Sequence, residues 1–261
     1  MPTFAVYRSA ARRLAPFARA NQNGNAMINL GISLLVGLGV FAIFTAIFSP
    51  LAAILPGVIG ALATYVVLAQ RAMKEIGRIS EQAQKEMMAQ KLDRALDTFK
   101  SGLPLAKKQF LVGPILHANI GTLLYVKRDF EAARPHLEQG FSRNYLAKAM
   151  LGAYLFKTGG DVEQMRKAFE TAVKHGKKDA LSWAVYAYCL DRLGKRDEAM
   201  KVLGRGVEAN PSDERLKSNL LALQNNKKLK MRAFAPQFYQ FHLEAPPPEF
   251  TGGRRVVYQR R

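Results

Sequence analysis

"FAIFTAIFSPLAAILPGVIGALATYVVLAQR", Phe41 to Arg71, ends on the first charged residue since Arg19. Residues 20–70, 51 in all, contain no Asp, Glu, Lys or Arg. A helix needs about 20 apolar residues, at about 1.5 Å each, to cross a ~30 Å hydrocarbon layer. Residues 27–70 supply 44, enough for two crossings. The stretch reads as one span over about 27–48 and a second over about 51–70. Ser49-Pro50 is the natural hinge, because proline lacks an N–H and clashes with the preceding turn. Pro56 leaves two readings open. It either kinks the second span near its start, or extends the turn over 49–56 so that the hairpin stops short of the far face. A buried soluble helix would be shorter and keep a polar edge, and a signal peptide has a shorter apolar run.

The flanks set the expected orientation. Arg8, Arg12, Arg13 and Arg19 precede the first span, and Arg71, Lys74 and Arg78 follow the second. Lys and Arg resist translocation, so both flanks are expected on the cytoplasmic side. Small residues recur four apart: Ser33 and Gly37 in the first span, and Ala53, Gly57 and Ala61 in the second. Such spacing lets helix backbones approach closely. It serves either packing between the two spans or self-association into a homo-oligomer. Residues 1–26 carry +4 with no acid. Val6, Tyr7, Ala10, Leu14 and Phe17 share one helical side, opposite the arginines. The segment reads as an interfacial amphipathic arm; an Arg-rich mitochondrial targeting peptide has the same pattern.

From Arg71 to Lys100 the sequence reads as one helix continuing out of the membrane, within a stalk over 71–112. Met73, Ile76, Ile79, Ala83, Met87, Leu92, Leu96 and Phe99 approximate its apolar stripe. Glu81 and Lys85 form a favourable pair four apart, and Gly102 and Pro104 end the helix.

Beyond Gly113 the chain repeats itself. "SWAVYAYCLDRLGKRDEAMKVLGRGVEANPSDERL", Ser182 to Leu216, has a weaker copy in "LGAYLFKTGGDVEQMRKAFETA" and another in "GTLLYVKRDFEAARPHLEQGF". The large residues Leu137, Phe169 and Leu203 are 32 and 34 apart, as are the small residues Gly140, Ala172 and Gly206. Gly121 and Gly152 hold matching places, and Ala133 precedes Leu137. The middle copy adds a residue at Gly159-Gly160-Asp161. The strongest copy resembles a tetratricopeptide repeat, a helix–turn–helix unit of about 34 residues. Trp183 matches its fourth position and Ala187 its eighth. Ala199, Leu203 and Gly206 match the small–large–small series of its second helix, and Asn210-Pro211 matches the link. The resemblance implies an all-α fold: an α-solenoid of three helix pairs over 113–226, ending in a capping helix N-capped by Ser212. Each pair leaves an apolar face that its neighbour must cover.

The resemblance also implies a concave groove. Its lining would include Ile115, Ala118, Thr122, Tyr125 and Val126 from the first copy, and Leu146, Ala149, Ala153, Phe156 and Lys157 from the second. Leu181, Ala184, Tyr188, Asp191 and Arg192 would come from the third. Tyr125, Phe156 and Tyr188 are amphipathic anchors of the type common at binding hot spots. The basic, Asn-rich clamp of chaperone-binding members of the family is missing from the corresponding positions.

No constellation for catalysis is present, and no cofactor is expected. Gly37 and Gly39 lie in an apolar span and not after a strand, which excludes a dinucleotide loop. His117, His136, His175 and His242 show no paired metal spacing. Cys189, the one cysteine, sits between Tyr188 and Leu190 and reads as core.

The net charge is +19, densest at the two ends. On a membrane protein this implies contact with anionic lipid headgroups; nucleic acid is the less favoured partner. Residues 227–261 form a basic, aromatic and Pro-rich tail. So many aromatics imply a role, either docking of Phe234–Phe250 onto the repeats or stacking on single-stranded nucleic acid. The whole reads as a membrane-anchored adaptor for a partner protein, in a bacterial inner membrane with both ends cytoplasmic. A mitochondrial membrane is the alternative location. A permanent structural subunit of a membrane complex is the alternative role, and a tether for RNA or ribosomes is a third.

Overall fold

The computed structural model describes residues 28–248. The basic arm over 1–26, with Arg8, Arg12, Arg13 and Arg19, lies outside the described residues, as does the closing "RRVVYQRR". Regular structure among the described residues is all helical. They form two compact units, one ending at Leu116 and one beginning at His117.

The first unit opens with a hairpin of α1 (Ile28–Ile47) and α2 (Pro50–Met88). The break between them falls at Ser49. Its hydroxyl accepts from the Ala52 N–H at 3.4 Å, and Pro50 takes the first helical position, where its missing N–H costs nothing. Pro56 lies inside α2. The extended turn over 49–56 therefore does not form. Pro56 removes only the bond to the Ala52 carbonyl, one turn into the helix, and the remaining backbone bonds continue past it.

Small residues bring the two helices together. A Cβ on Gly37 would lie 2.7 Å from Ala61 Cβ, and one on Gly57 would lie 3.0 Å from Phe41 Cβ. Ser33, Gly37, Ala53 and Gly57 are buried in this seam, so the stripe faces the other helix of the same chain. The outward surface is apolar and uncovered, including Leu35 and Leu51. Both helices are long and apolar enough to cross a membrane.

Arg71, Lys74 and Arg78 follow on α2. The single helix to Lys100 is not what forms: α2 stops at Met88 and the chain turns back as α3 (Leu92–Ser101). Gln90 takes a left-handed φ of 59°, while Lys91 N–H bonds back to the Glu86 carbonyl. The left-handed residue costs about 1–2 kcal/mol. It allows Ala95, Leu96 and Phe99 of α3 to be buried, along with Ala72, Ile76 and Ala83 of α2. Thr98 donates to Glu86 across this pair at 2.7 Å. Each large apolar side chain buried is worth about 1.5–3 kcal/mol, which outweighs the turn.

The second unit, which begins at His117 within the first helix of the first pair, contains the helix pairs. They are α4 (Val112–Val126) with α5 (Phe130–Gln139), α6 (Tyr145–Lys157) with α7 (Val162–His175), and α8 (Ala180–Arg192) with α9 (Arg196–Ala209). α10 (Glu214–Gln224) closes the stack. Each pair turns on one left-handed residue: Arg128 (φ 67°), Gly159 (φ 63°) and Gly194 (φ 75°). Asp129, Asn144, Asp161, Asp179 and Asp213 cap helices with side-chain oxygens, satisfying amide donors that the first turn leaves unpaired. Asp213, and not Ser212, caps α10, because its carboxylate reaches both the Arg215 and Leu216 N–H groups.

Within the pairs, small residues sit against large ones. A Cβ on Gly121 would lie 2.8 Å from the Leu137 nitrogen. One on Gly152 would lie 2.6 Å from the Phe169 ring, and one on Gly206 3.0 Å from Trp183. Gly140 lies as closely against Ala118. Ala133, Ala172, Ala187, Ala199 and Leu203 are buried. The repeat's fourth position adds polar ties: Trp183 Nε1 donates to the Lys177 carbonyl at 3.0 Å, and Lys148 Nζ donates to the Leu137 carbonyl at 2.9 Å. Arg205 forms a two-pronged pair with Glu170, 2.8 Å at each prong, joining the second pair to the third.

Gly152→Ala is expected to destabilise the unit by about 1–3 kcal/mol through overpacking on Phe169. Gly204 lies in α9 with no atom within 4 Å of an added Cβ. Gly204→Ala is therefore expected to stabilise by about 0.5–1 kcal/mol. Denaturant midpoints of the two variants check the opposite signs.

Candidate functional site

Helices α4, α6 and α8 present one face to the segment that follows α10. That segment is held from its start: Lys230 N–H donates to Asn219 Oδ1 at 2.7 Å, and Arg196 caps the carbonyls of Leu223 and Lys227. Two short 3₁₀ turns follow, Met231–Phe234 and Gln237–Phe241. Phe234, Phe238 and Phe241 are fully buried, and Met231 and Tyr239 nearly so. Arg215 lies 4.6 Å over the Phe234 ring.

The segment reaches all three helix pairs. Phe238 meets Tyr188 edge-on at 5.6 Å. Tyr125 Oη donates to the Phe241 carbonyl at 2.8 Å. His242 packs on Tyr125 and on Phe130, and Lys157 Nζ lies 4.1 Å over the Phe130 ring. Tyr188 Oη donates to Glu244 at 2.9 Å, and Arg192 reaches the same carboxylate at 3.3 Å. Beside the segment a recess remains, lined by Arg128, Phe130, Lys157 and His242–Pro246.

Of the residues expected to line a groove, Tyr125, Lys157, Tyr188 and Arg192 all touch this segment. Thr122 is half-buried and bonds back to the Ala118 carbonyl. Phe156 is half-buried on α6. Ile115 is half-buried in the first turn of α4, in the other compact unit. Pro211 lies in the link before α10. Phe130, Arg128 and Glu244 are participants that the repeat pattern does not mark. Phe130 is the first residue of a second helix, where the repeat constrains only the later small and large positions.

The docked aromatics change one reading of the tail. Phe234, Phe238, Tyr239 and Phe241 turn their rings into protein, so they cannot act as stacking platforms for single-stranded nucleic acid. His117 and His136, 19 residues apart, are also brought together, with their Nδ1 atoms 2.8 Å apart. No sequence spacing marks this pair, because only the α4–α5 turn aligns the two rings. At that distance one ring donates and the other accepts, so both cannot be fully protonated.

Burial governs the electrostatics. It raises the Tyr188 phenol to about 12, assisted by the hydrogen bond to Glu244. The Cys189 thiol is fully buried and pushed well up, away from thiolate chemistry. His242 is lowered from 6.5, first by burial, with Arg128 and Lys157 adding repulsion. Its Nε2 lies 3.1 Å from the Val126 carbonyl and must carry the proton that it donates there. Burial also lowers His117.

Phe238→Ala is expected to cost about 3–5 kcal/mol. Glu244→Gln is expected to cost under about 1 kcal/mol, because the Arg192–Glu244 pair is solvent-exposed. Equilibrium unfolding separates the two.

A histidine lowered by folding contributes stability that is present above its unfolded value, 6.5, and lost as pH falls through the folded one. Acidification is therefore expected to lower amide protection factors, taken relative to the intrinsic exchange rate at each pH, in two places, residues 238–244 and the α4–α5 contact. His242→Gln should abolish the first response and spare the second.

Residues 180–213, spanning α8, α9 and the link to the α10 cap, match a family model described as Tetratricopeptide repeat. A comparison with curated proteins finds no match. The two preceding pairs share with this stretch the left-handed turn residue and the close small-against-large contact. The repeat supports a role in protein–protein interaction, as an adaptor or scaffold. Residues 180–213 are thus similar to a tetratricopeptide repeat, and this stretch is the most regular of the three helix pairs.

Proposed function

We propose that this protein is a membrane-anchored adaptor that holds a partner protein at the bilayer surface. Residues 28–70 are the anchor and the helix pairs are the binding surface. One observation carries the reading: the same chain joins a helical hairpin with an uncovered apolar surface to a repeat face that already takes up an aromatic segment folded into two 3₁₀ turns. The chemistry of that resident segment indicates what the face accepts. Aromatic rings seat against Tyr188 and beside Tyr125, and a carboxylate seats on Tyr188 and Arg192. A partner segment using this face would present the same groups and would compete with residues 238–244. The positive flank Arg71, Lys74 and Arg78, with the arginines of the first 26 residues, supports a cytoplasmic position for the repeats. A bacterial inner membrane is the simplest setting.

A second reading is favoured by the complete burial of Phe234, Phe238 and Phe241. A face filled that tightly suits a permanent subunit of a larger membrane complex, with no exchangeable ligand.

Photocrosslinking groups placed at Lys157 and Arg192, followed by purification in mild detergent, test the proposal. An exchangeable adaptor is expected to crosslink a partner from both positions, with the yield rising when Phe238→Ala loosens the resident segment. A stoichiometric, salt-resistant assembly whose yield is unchanged by Phe238→Ala would replace the adaptor with the subunit.

A further inference from the structure

Resting on the anchor proposed for residues 28–70, we infer that residues 107–111 form a second membrane contact, in which Phe110 and Leu111 enter the headgroup–acyl boundary and Lys107 and Lys108 meet anionic lipid phosphates. The segment lies in the first unit, and it is tied to the hairpin by polar groups that a bilayer would otherwise leave unsatisfied. The amide of Asn29, in the first turn of α1, donates to the Lys108 carbonyl at 3.3 Å, filling a donor that a helix start leaves without an intrahelical partner. Asn29 Nδ2 donates to Gln109 Oε1 at 3.2 Å, and Gln109 Nε2 donates to Tyr65 Oη at 3.0 Å. Ser33 Oγ donates to the Asn29 carbonyl at 2.6 Å. Asn29, Ser33 and Gln109 are all buried. This return of the chain to the start of α1 therefore closes a polar network that joins α1 to α2.

What flanks Gln109 follows a different logic. Lys107 and Lys108 are exposed just before it, and Phe110 and Leu111 are 61% and 38% exposed just after it. A buried glutamine next to an exposed phenylalanine inverts the usual order for a face in water. The inversion is removed if the surroundings of Phe110 are lipid. The helix segments around Asn29 and Tyr65, to which Lys108 and Gln109 are bonded, also expose apolar side chains: Ile28 and Ile32 on α1, Val66 and Val67 on α2. Phe110 and Leu111 add two exposed apolar side chains to the end of the hairpin at which Gln109 is bonded. The depth is consistent. Tyr65 precedes Arg71 by six residues, about 9 Å of helix, which places the network just inside the charged flank. Tyrosines favour that interfacial level, and an interfacial apolar side chain inserts about 5–10 Å. Gln109 acts as the positioning residue that fixes the level of Phe110.

The test uses the full chain with Cys189→Ala and one added cysteine at a time. Phe110→Cys, Leu35→Cys on α1 and Leu221→Cys on α10 each carry an environment-sensitive fluorophore. The protein is reconstituted in phosphatidylcholine vesicles containing phosphatidylglycerol, with quenchers placed on lipid headgroups or at chain ends. The Leu35 probe is expected to be quenched from chain ends, the Phe110 probe from headgroups, and the Leu221 probe by neither. Lys107→Glu with Lys108→Glu should weaken the headgroup quenching at position 110 and leave position 35 unchanged. A Phe110 probe that behaves like the Leu221 probe, while Leu35 stays in the chains, overturns the inference and spares the anchor. Protection of position 110 in native membranes but not in these vesicles assigns the site to a protein and also overturns it. An aqueous Leu35 probe overturns the anchor and the inference together.

Discussion

An apolar helix face must be covered by something, and the structure follows from how each face is covered. In the second unit the cover is local. Each helix pair buries one side between its own helices, where glycine at 121 or 152 admits Leu137 or Phe169 to backbone distance. The next pair covers the remaining side. The stack ends on α10, where Leu216, Ala222 and Leu223 are buried, and on the buried aromatic side chains that follow it. In the first unit the cover is partial. α1 and α2 satisfy each other along a seam of Ser33, Gly37, Ala53 and Gly57, while the opposite sides of both remain bare. The second unit is covered by its own packing, whereas the hairpin keeps an exposed apolar surface on helices long and apolar enough to cross a membrane.

The same physical rule explains why the tail is not a tail. Residues 227–248 are too aromatic to remain in water, and the repeat face offers rings and hydrogen-bond donors that match them. Fully burying three phenylalanines is worth about 1.5–3 kcal/mol each, before the entropy of ordering the segment. The polar ties from Tyr125, Lys157, Tyr188 and Arg192 are weaker individually and set the register. The result is a resident occupant with a buried aromatic part and a more exposed end held by the hydrogen bonds to Glu244.

Several features were legible from residue spacing alone. The 51-residue uncharged stretch and Ser49-Pro50 locate the hairpin break to within a residue, because proline's geometry is local. The 32- and 34-residue recurrence of Leu137, Phe169 and Leu203 locates three helix pairs, because each pair must repeat the same contact to stack. Other features were illegible for equally physical reasons. Gln90 is not a residue that marks a turn, and its left-handed conformation is stabilised by burial of Leu96 and Phe99 against a helix earlier in the chain. His117 and His136 meet only because two helices cross. Gln109 is an ordinary polar residue until Asn29 and Tyr65 approach it.

The sequence by itself determined what is periodic or covalent: helical content, the number of repeat pairs, the hairpin break, and the absence of charge across residues 20–70. Those properties depend on residues a few positions apart, so the pattern carries them. Tertiary structure alone decided which faces are left free. It folded α3 back on α2, filled the repeat face with Phe238, Phe241 and Glu244, and tied Gln109 to the start of α1. These are contacts between residues 12 to 116 positions apart. They form because burying an apolar surface is favourable wherever a complementary one can reach it, and sequence spacing does not record that reach.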